Sequence, residues 1–229
     1  MTPARSSSVQ SVNRIVGKPV PALVPAIGPV HVLLIGEAPG PRGADKSGYP
    51  FFGDLAGKHL YRVLLRLRAV AIPGDFESLP WDGATFAERD LHPLAYGIAL
   101  GNAFDRCPTD DGMSFRAPSR AELEGPANVR RLAHEMHALE QRGLCGIVTL
   151  GRVATRTMDV VLAAHPMPSL RRRAVPHPSA QGLLSMAPDR GKGARMVELQ
   201  VAWMARCATL IIEAGYPDAS ATTSEPAHD

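Results

Sequence analysis

Three short apolar runs, at 31–35, 97–102 and 146–150, are each bounded by Gly, Pro or polar residues and are too brief for helices. Together with 171–176, where Ala174 and Val175 follow three arginines, they read as four strands. Between them, apolar positions recur every three or four residues over 55–69, 119–141 and 152–163, and a closing helix is expected near 193–214. Strand and helix therefore alternate, which predicts an α/β, three-layer αβα fold with a central four-stranded, mostly parallel sheet. Ser119 with Glu122 three residues on makes a capping-box start for the long helix, and Gly143 ends it. The segment 71–96, punctuated by Pro73, Gly74, Pro80, Gly83 and Pro93, has no sustained period and reads as a long excursion between the first helix and second strand. Residues 1–28 and 216–229 also lack a period and read as flexible tails, leaving 29–215 as the folded unit.

Composition narrows the class. A chain of 229 residues with 45% apolar content can bury one sizeable core. It has no run of about 18 apolar residues, and 1–28 lacks the apolar centre of a signal peptide, so a cytoplasmic protein with no membrane partner is expected. Three cysteines, Cys107, Cys145 and Cys207, are too few and too scattered for a disulfide framework or a self-contained zinc site. The net charge of +3 permits nucleic-acid binding without demanding it. Arg171, Arg172 and Arg173 lie just before Val175-Pro176-His177-Pro178-Ser179, either as a solvated strand start or as phosphate contacts.

In a parallel sheet, the loops that follow the strands gather on one edge, where α/β proteins place their chemistry. The first such loop holds Glu37, Asp45 and Phe51, the second begins at Asn102, and the last holds His177 and Ser179. A carboxylate, an aromatic face, a side-chain amide and an imidazole suit one planar heterocycle. The ring would stack on Phe51, Asn102 would offer a donor and an acceptor to an amide-like edge, and His177 would donate to an oxygen that becomes anionic. A carboxylate could orient water or stabilise positive charge on a sugar. Asp54 and His59 read as helix-start and surface residues, and His134 and His137 as residues of the long helix without a role.

These segments resemble, in order over about 30–205, the uracil-DNA glycosylase superfamily, and most closely its iron–sulfur, thermophile-type branch. Gly36-Glu37-Ala38-Pro39-Gly40 is similar to the water-loop motif, and Asp45 through Gly57 to its continuation. Gly101-Asn102 with Arg106-Cys107-Pro108, then Pro118-Ser119, Leu150-Gly151 and His177-Pro178-Ser179 resemble the later motifs. The resemblance implies a monomeric, monofunctional glycosylase that removes uracil, or other deaminated or 5-substituted bases, from DNA. The alternative is a non-catalytic DNA-binding relative. It also implies that Phe51 stacks on an extruded base, that Asn102 reads its Watson–Crick edge, and that Gly36, Ala38 and Ser179 line the pocket. His177 would stabilise the departing anion, and either Glu37 or Asp45 would position water. Arg171, Arg172 and Arg173 would contact DNA, and Gln181 or Leu183 would fill the space of the flipped nucleotide.

Two departures from the pattern matter. Iron–sulfur members use four cysteines, whereas here the N-terminal pair is absent, Pro126 stands near the fourth position and Cys107 alone survives. No metal and no cofactor are expected, because a cluster needs four ligands. Ala44 occupies a position where the family commonly has an acidic residue near the uracil 5-position, so a wider pocket is expected.

Overall fold

The computed structural model describes residues 16–218. Strand β1 (Val16–Pro19) leads to β2 (Val30–Gly36), whose end opens into a loop carrying the single turn α1 (Ala44–Ser47). Helix α2 (Leu55–Arg66) follows, then a hairpin of β3 (Val70–Ala71) and β4 (Leu94–Ala95) that encloses α3 (Gly83–Glu88). The chain continues through β5 (Gly97–Asn102), β6 (Arg106–Pro108), α4 (Arg120–Glu124), α5 (Pro126–Glu140) and β7 (Gly146–Leu150). It closes with α6 (Arg152–Ala164), β8 (Arg171–Val175), α7 (Ala180–Leu184) and α8 (Met196–Glu213).

The central sheet has the order β5-β2-β7-β8 and every pairing in it is parallel. Two-residue periodicity splits its strands between two faces. Val32, Leu34, Ile98, Leu100 and Val148 face α2 and α8, where they meet Leu60, Leu64, Trp203 and Ile211. Leu33, Ile35, Ala99 and Ile147 face α5 and α6, where they meet Leu132, Met136, Met158 and Val161. Such strands are covered on both sides, as their near-continuous apolar runs require. Each fully buried Leu or Ile contributes about 1.5–3 kcal/mol, so both faces are needed to hold the sheet.

Four boundaries differ from the sequence expectation. The helix expected over 119–141 is two helices, because Pro126 lacks an N–H and crowds the preceding turn. Gly125 is extended there (ψ 147°), and Pro126 begins α5. The capping box itself forms, with Ser119 and Glu122 bonding reciprocally. The chain joins the fold before residue 29: β1 pairs antiparallel with β6, and Leu23 bridges to Leu100 beside β5. The expected C-terminal tail 216–229 likewise begins too early, since Tyr216 is buried in the core and its hydroxyl donates to the Tyr96 carbonyl at 3.1 Å; the rest of both expected tails, before 16 and from 219, lies outside the described residues. The excursion 71–96 is ordered around α3, which Asp82 caps by accepting the Thr85 N–H at 2.9 Å. It docks through an aromatic cluster of Phe52, Tyr61, Trp81 and Phe86, with Phe52 stacked on Phe86 at 4.3 Å. Its Gly83 lies against the backbone of Gly43 in the loop after β2, so close that a β-carbon there would sit 2.2 Å from the Gly43 oxygen.

Candidate active site at the sheet edge

Because the four strands are parallel, Asn102, Gly36, Leu150 and Val175 end on one edge, with Gly36 in register with Asn102 and Leu150 with Val175. The Ala103 N–H donates to the Gly36 carbonyl (2.8 Å) and the Phe104 N–H to that of Glu37 (2.9 Å), which ties the first two loops together. His177, just beyond β8, stands three strands from Asn102, roughly 14 Å across the edge at the ladder spacing. That span suits a nucleobase gripped from two sides.

The first side is a slot over Gly36. A β-carbon there would lie 2.5 Å from Cε1 of Phe51 and 3.3 Å from Oδ1 of Asn102, so only glycine lets ring and amide converge. Phe51 adopts φ +63°, a costly backbone state for a bulky residue, secured by the Asp54 N–H donating to its carbonyl (3.3 Å). Asn102 is 3% exposed, yet neither its Nδ2 nor its Oδ1 has a partner. Its aim is fixed from behind: Arg131 Nη2 donates to the carbonyls of Asn102 (3.2 Å) and Ala103 (3.0 Å), and Asn128 Nδ2 to that of Ala103 (2.8 Å). An orphaned amide costs stability unless something arrives to satisfy it.

Glu37 and Ala38 follow Gly36 directly and are half-buried, and burial raises the Glu37 carboxyl above its ordinary range. Asp45 stands apart from this cluster. Its Oδ1 lies against Gly17 of β1, and it pairs with Lys46 at 3.3 Å. Of the two candidate carboxylates, only Glu37 adjoins the slot.

The second side is built by the turn after β8. Trp203 Nε1 donates to the Pro176 carbonyl (2.7 Å) and Gly151 backs onto the His177 β-carbon, so the histidine's place is set by core packing. The Ser179 N–H donates to His177 Nδ1 (3.3 Å), and burial lowers the imidazole pKa. The ring is therefore neutral with its proton on Nε2, a donor held without positive charge. The Ser179 hydroxyl accepts the Gly182 N–H (3.4 Å) and caps α7.

Several expected residues fall elsewhere. Leu183 is 2% exposed and belongs to the core beside α8, so it cannot enter a DNA groove; Gln181 is exposed. The arginine run is not a free cationic patch. Arg172 pairs with Asp159 on α6, Arg173 with Glu213 on α8 at 2.9 Å, and Arg171 reaches Cys145, all along β8 toward the edge opposite the site. Ala44 is wholly buried in the first turn of α1, on the loop that also carries Phe51.

Asp54 braces the site loop in a way that sequence reasoning missed. Its carboxylate collects the N–H groups of Gly40, Gly43 and Ala44, closing the loop that carries Glu37 and Phe51. Burial nevertheless pushes its pKa up to about 6. The residue sits at a helix start, the commonest place for an Asp, and nothing local shows that it bonds backward in the chain.

Among the described residues no group of three His, Cys, Asp or Glu could hold a metal, and Cys107 is buried in β6 away from Cys145 and Cys207. The residues present do not fit an iron–sulfur cluster. A surface cavity of about 320 Å³ between α5 and α6 is lined by Met136, His137, Val161 and His165; none of these presents an unpartnered buried polar atom, so concavity alone does not mark the site.

A family model described as the uracil DNA glycosylase superfamily matches residues 25–188, most of the chain. The crystal structure of wild-type Pedobacter heparinus SMUG2 is similar at 12% identity, covering 80% of this chain and 76% of that one, with a TM-score of 0.45. A search of curated proteins finds no match.

Proposed function

The chain belongs to the uracil DNA glycosylase superfamily, and on that premise we propose that it is a monofunctional DNA glycosylase hydrolysing the N-glycosidic bond of uracil. The observation that carries this reading is the buried, unpartnered amide of Asn102 facing Phe51 across Gly36. Uracil presents an N–H donor and a carbonyl acceptor side by side, and an amide supplies the complement of both. Phe51 stacks on the base that fills the slot.

As the bond from the sugar to the base nitrogen lengthens, its electron pair goes to the base, and negative charge grows on the ring carbonyl nearest the sugar. His177 Nε2–H donates to that oxygen. A neutral imidazole suits this task, because it stabilises the anion without first having to give up a proton. Glu37 rather than Asp45 orients the water that adds to the sugar carbon, and its charge offsets the positive charge developing there. The products are free uracil and an abasic site; Lys46, within the 45–57 motif, is exposed and paired with Asp45 at 3.3 Å, away from the slot, and so offers no route to strand cleavage. With alanine at position 44 no acidic side chain crowds the base there, so 5-substituted uracils are expected as substrates beside uracil.

The test is excision from single- and double-stranded oligonucleotides carrying uracil, hypoxanthine, xanthine, thymine or 5-hydroxymethyluracil, read by alkaline cleavage of the abasic product. Release of uracil, lost in His177→Ala, is expected. Tight binding to DNA with no base released would overturn the reading in favour of a non-catalytic relative.

A further inference from the structure

We propose that the loop 109–116 is a second DNA-contacting element, one that wedges Met113 and Phe115 into the duplex to help extrude the target nucleotide. The inference rests on the glycosylase reading above and extends it to how the base leaves the stack.

Topology fixes where this loop lies. The chain leaves the sheet at Asn102, and β7, parallel to β5, begins at the opposite edge. The long helix α5 makes the return journey, so residues 103–125 stay on the edge that carries Asn102, Glu37 and His177. On that edge Met113 is 66% and Phe115 47% exposed, two large apolar side chains held one residue apart in water.

The loop that presents them is not slack. Asp111 accepts the N–H groups of Met113 (2.8 Å) and Ser114 (2.7 Å) and the hydroxyls of Ser114 (2.8 Å) and Thr109 (3.1 Å). Thr109 in turn accepts the Gly112 N–H (2.9 Å), and these donations hold the Asp111 carboxyl well below the usual range. Arg116 closes the loop, its N–H on the Pro108 carbonyl (2.9 Å) and its guanidinium on Asp110 (3.1 Å) and Glu122 (3.5 Å). Both acidic side chains of the loop are thus committed inside it. A tip ordered in advance gives up little conformational freedom when its apolar groups are buried.

Apolar wedges of Met, Phe or Leu are a recurring means of prising base steps apart. The residue expected to do this here, Leu183, is locked in the core, leaving only small Ala180 and polar Gln181 exposed on α7, with Leu184 part-buried. The apolar share of the work then passes to Met113 and Phe115. The loop carries no free cation, which fits insertion against bases better than a grip on phosphates.

The experiment compares the full chain with Met113→Ser, Phe115→Ser and the double variant in single-turnover excision of uracil from one sequence, presented single-stranded and as a duplex. Both side chains are exposed, so the variants fold as the parent does. Loss of the wedge is expected to slow duplex excision by at least about tenfold, since the unstacking cost falls only on the duplex, while single-strand excision stays within about twofold. The parent should also brighten 2-aminopurine placed beside the target on binding, and the double variant should not. Equal losses on both substrates, or none on the duplex, would overturn the wedge alone. A parent inactive on both strands overturns the glycosylase reading, and in that case the 2-aminopurine signal decides the wedge by itself.

Discussion

Replacing Asn102 with Ala should make the protein more stable and, at the same time, nearly useless. The amide is 3% exposed and neither polar atom has a partner. Each unsatisfied buried donor or acceptor costs about 1–3 kcal/mol, so removing two of them returns several kcal/mol. The vacated space takes part of this back, at about 24 cal/mol per Å³ of residual cavity. A net gain of about 1 kcal/mol follows, which for a chain of this size raises the melting temperature by about 2–4 °C. Excision should fall by about a hundredfold or more, the usual effect of losing one donor aimed at a reacting group. The assay pairs a thermal melt with single-turnover excision on the same preparations. A variant that melts several degrees lower while excising uracil at the parental rate would show that the amide serves the fold, and would remove the ground on which the site is assigned.

Asp54→Asn should flatten the pH dependence of stability. The folded-state pKa is raised from 3.8 to about 6, so the carboxyl contributes most below pH 4, and about 3 kcal/mol is lost as pH rises through 6. Burial lowers the His177 pKa from 6.5, and that contribution has the opposite sign, present above 6.5 and lost on acidification. Urea unfolding at several pH values should show a decline between pH 4 and 6.5 in the parent that is absent in the variant; parallel curves would refute it. Changing Arg171, Arg172 and Arg173 together to Ala should leave the salt dependence of DNA binding unchanged, because Arg172 and Arg173 are paired with Asp159 and Glu213 and the run lies toward the sheet edge opposite the site. Arg152 is exposed at the site edge, where α6 begins, and its removal should lower that slope by about one, as for a lost phosphate contact.

The strands and the residues at their ends were legible because parallel, doubly covered strands are continuous apolar runs with abrupt stops. Asn102 and His177 stand at two such stops. Other features depended on partners distant in sequence. The arginine run reads as a cationic patch until the two-residue period of β8 sends Arg172 toward Asp159 and Arg173 toward Glu213. Leu183 reads as a loop residue, but the Ser179 cap winds α7 and turns it inward. Asp45 and Glu37 were equal by motif, and only the placement of Gly17 against Asp45 separates them. The ordered excursion was hidden because its cohesion comes from Trp81 and Phe86 meeting Phe52 and Tyr61 of another segment.

The contact between Gly83 and Gly43 reaches beyond the fold. Gly83 also donates its N–H to the Arg42 carbonyl at 3.2 Å, so the helix start bearing it is a mould against which the loop after β2 is cast. In a saturation screen for activity, position 83 should therefore score as severely as a residue of the site, although it carries no reactive group. Anyone transplanting the loop 36–54 into a new scaffold would have to bring the segment 81–88 with it, since the recipient would otherwise receive the chemistry without the surface that shapes it.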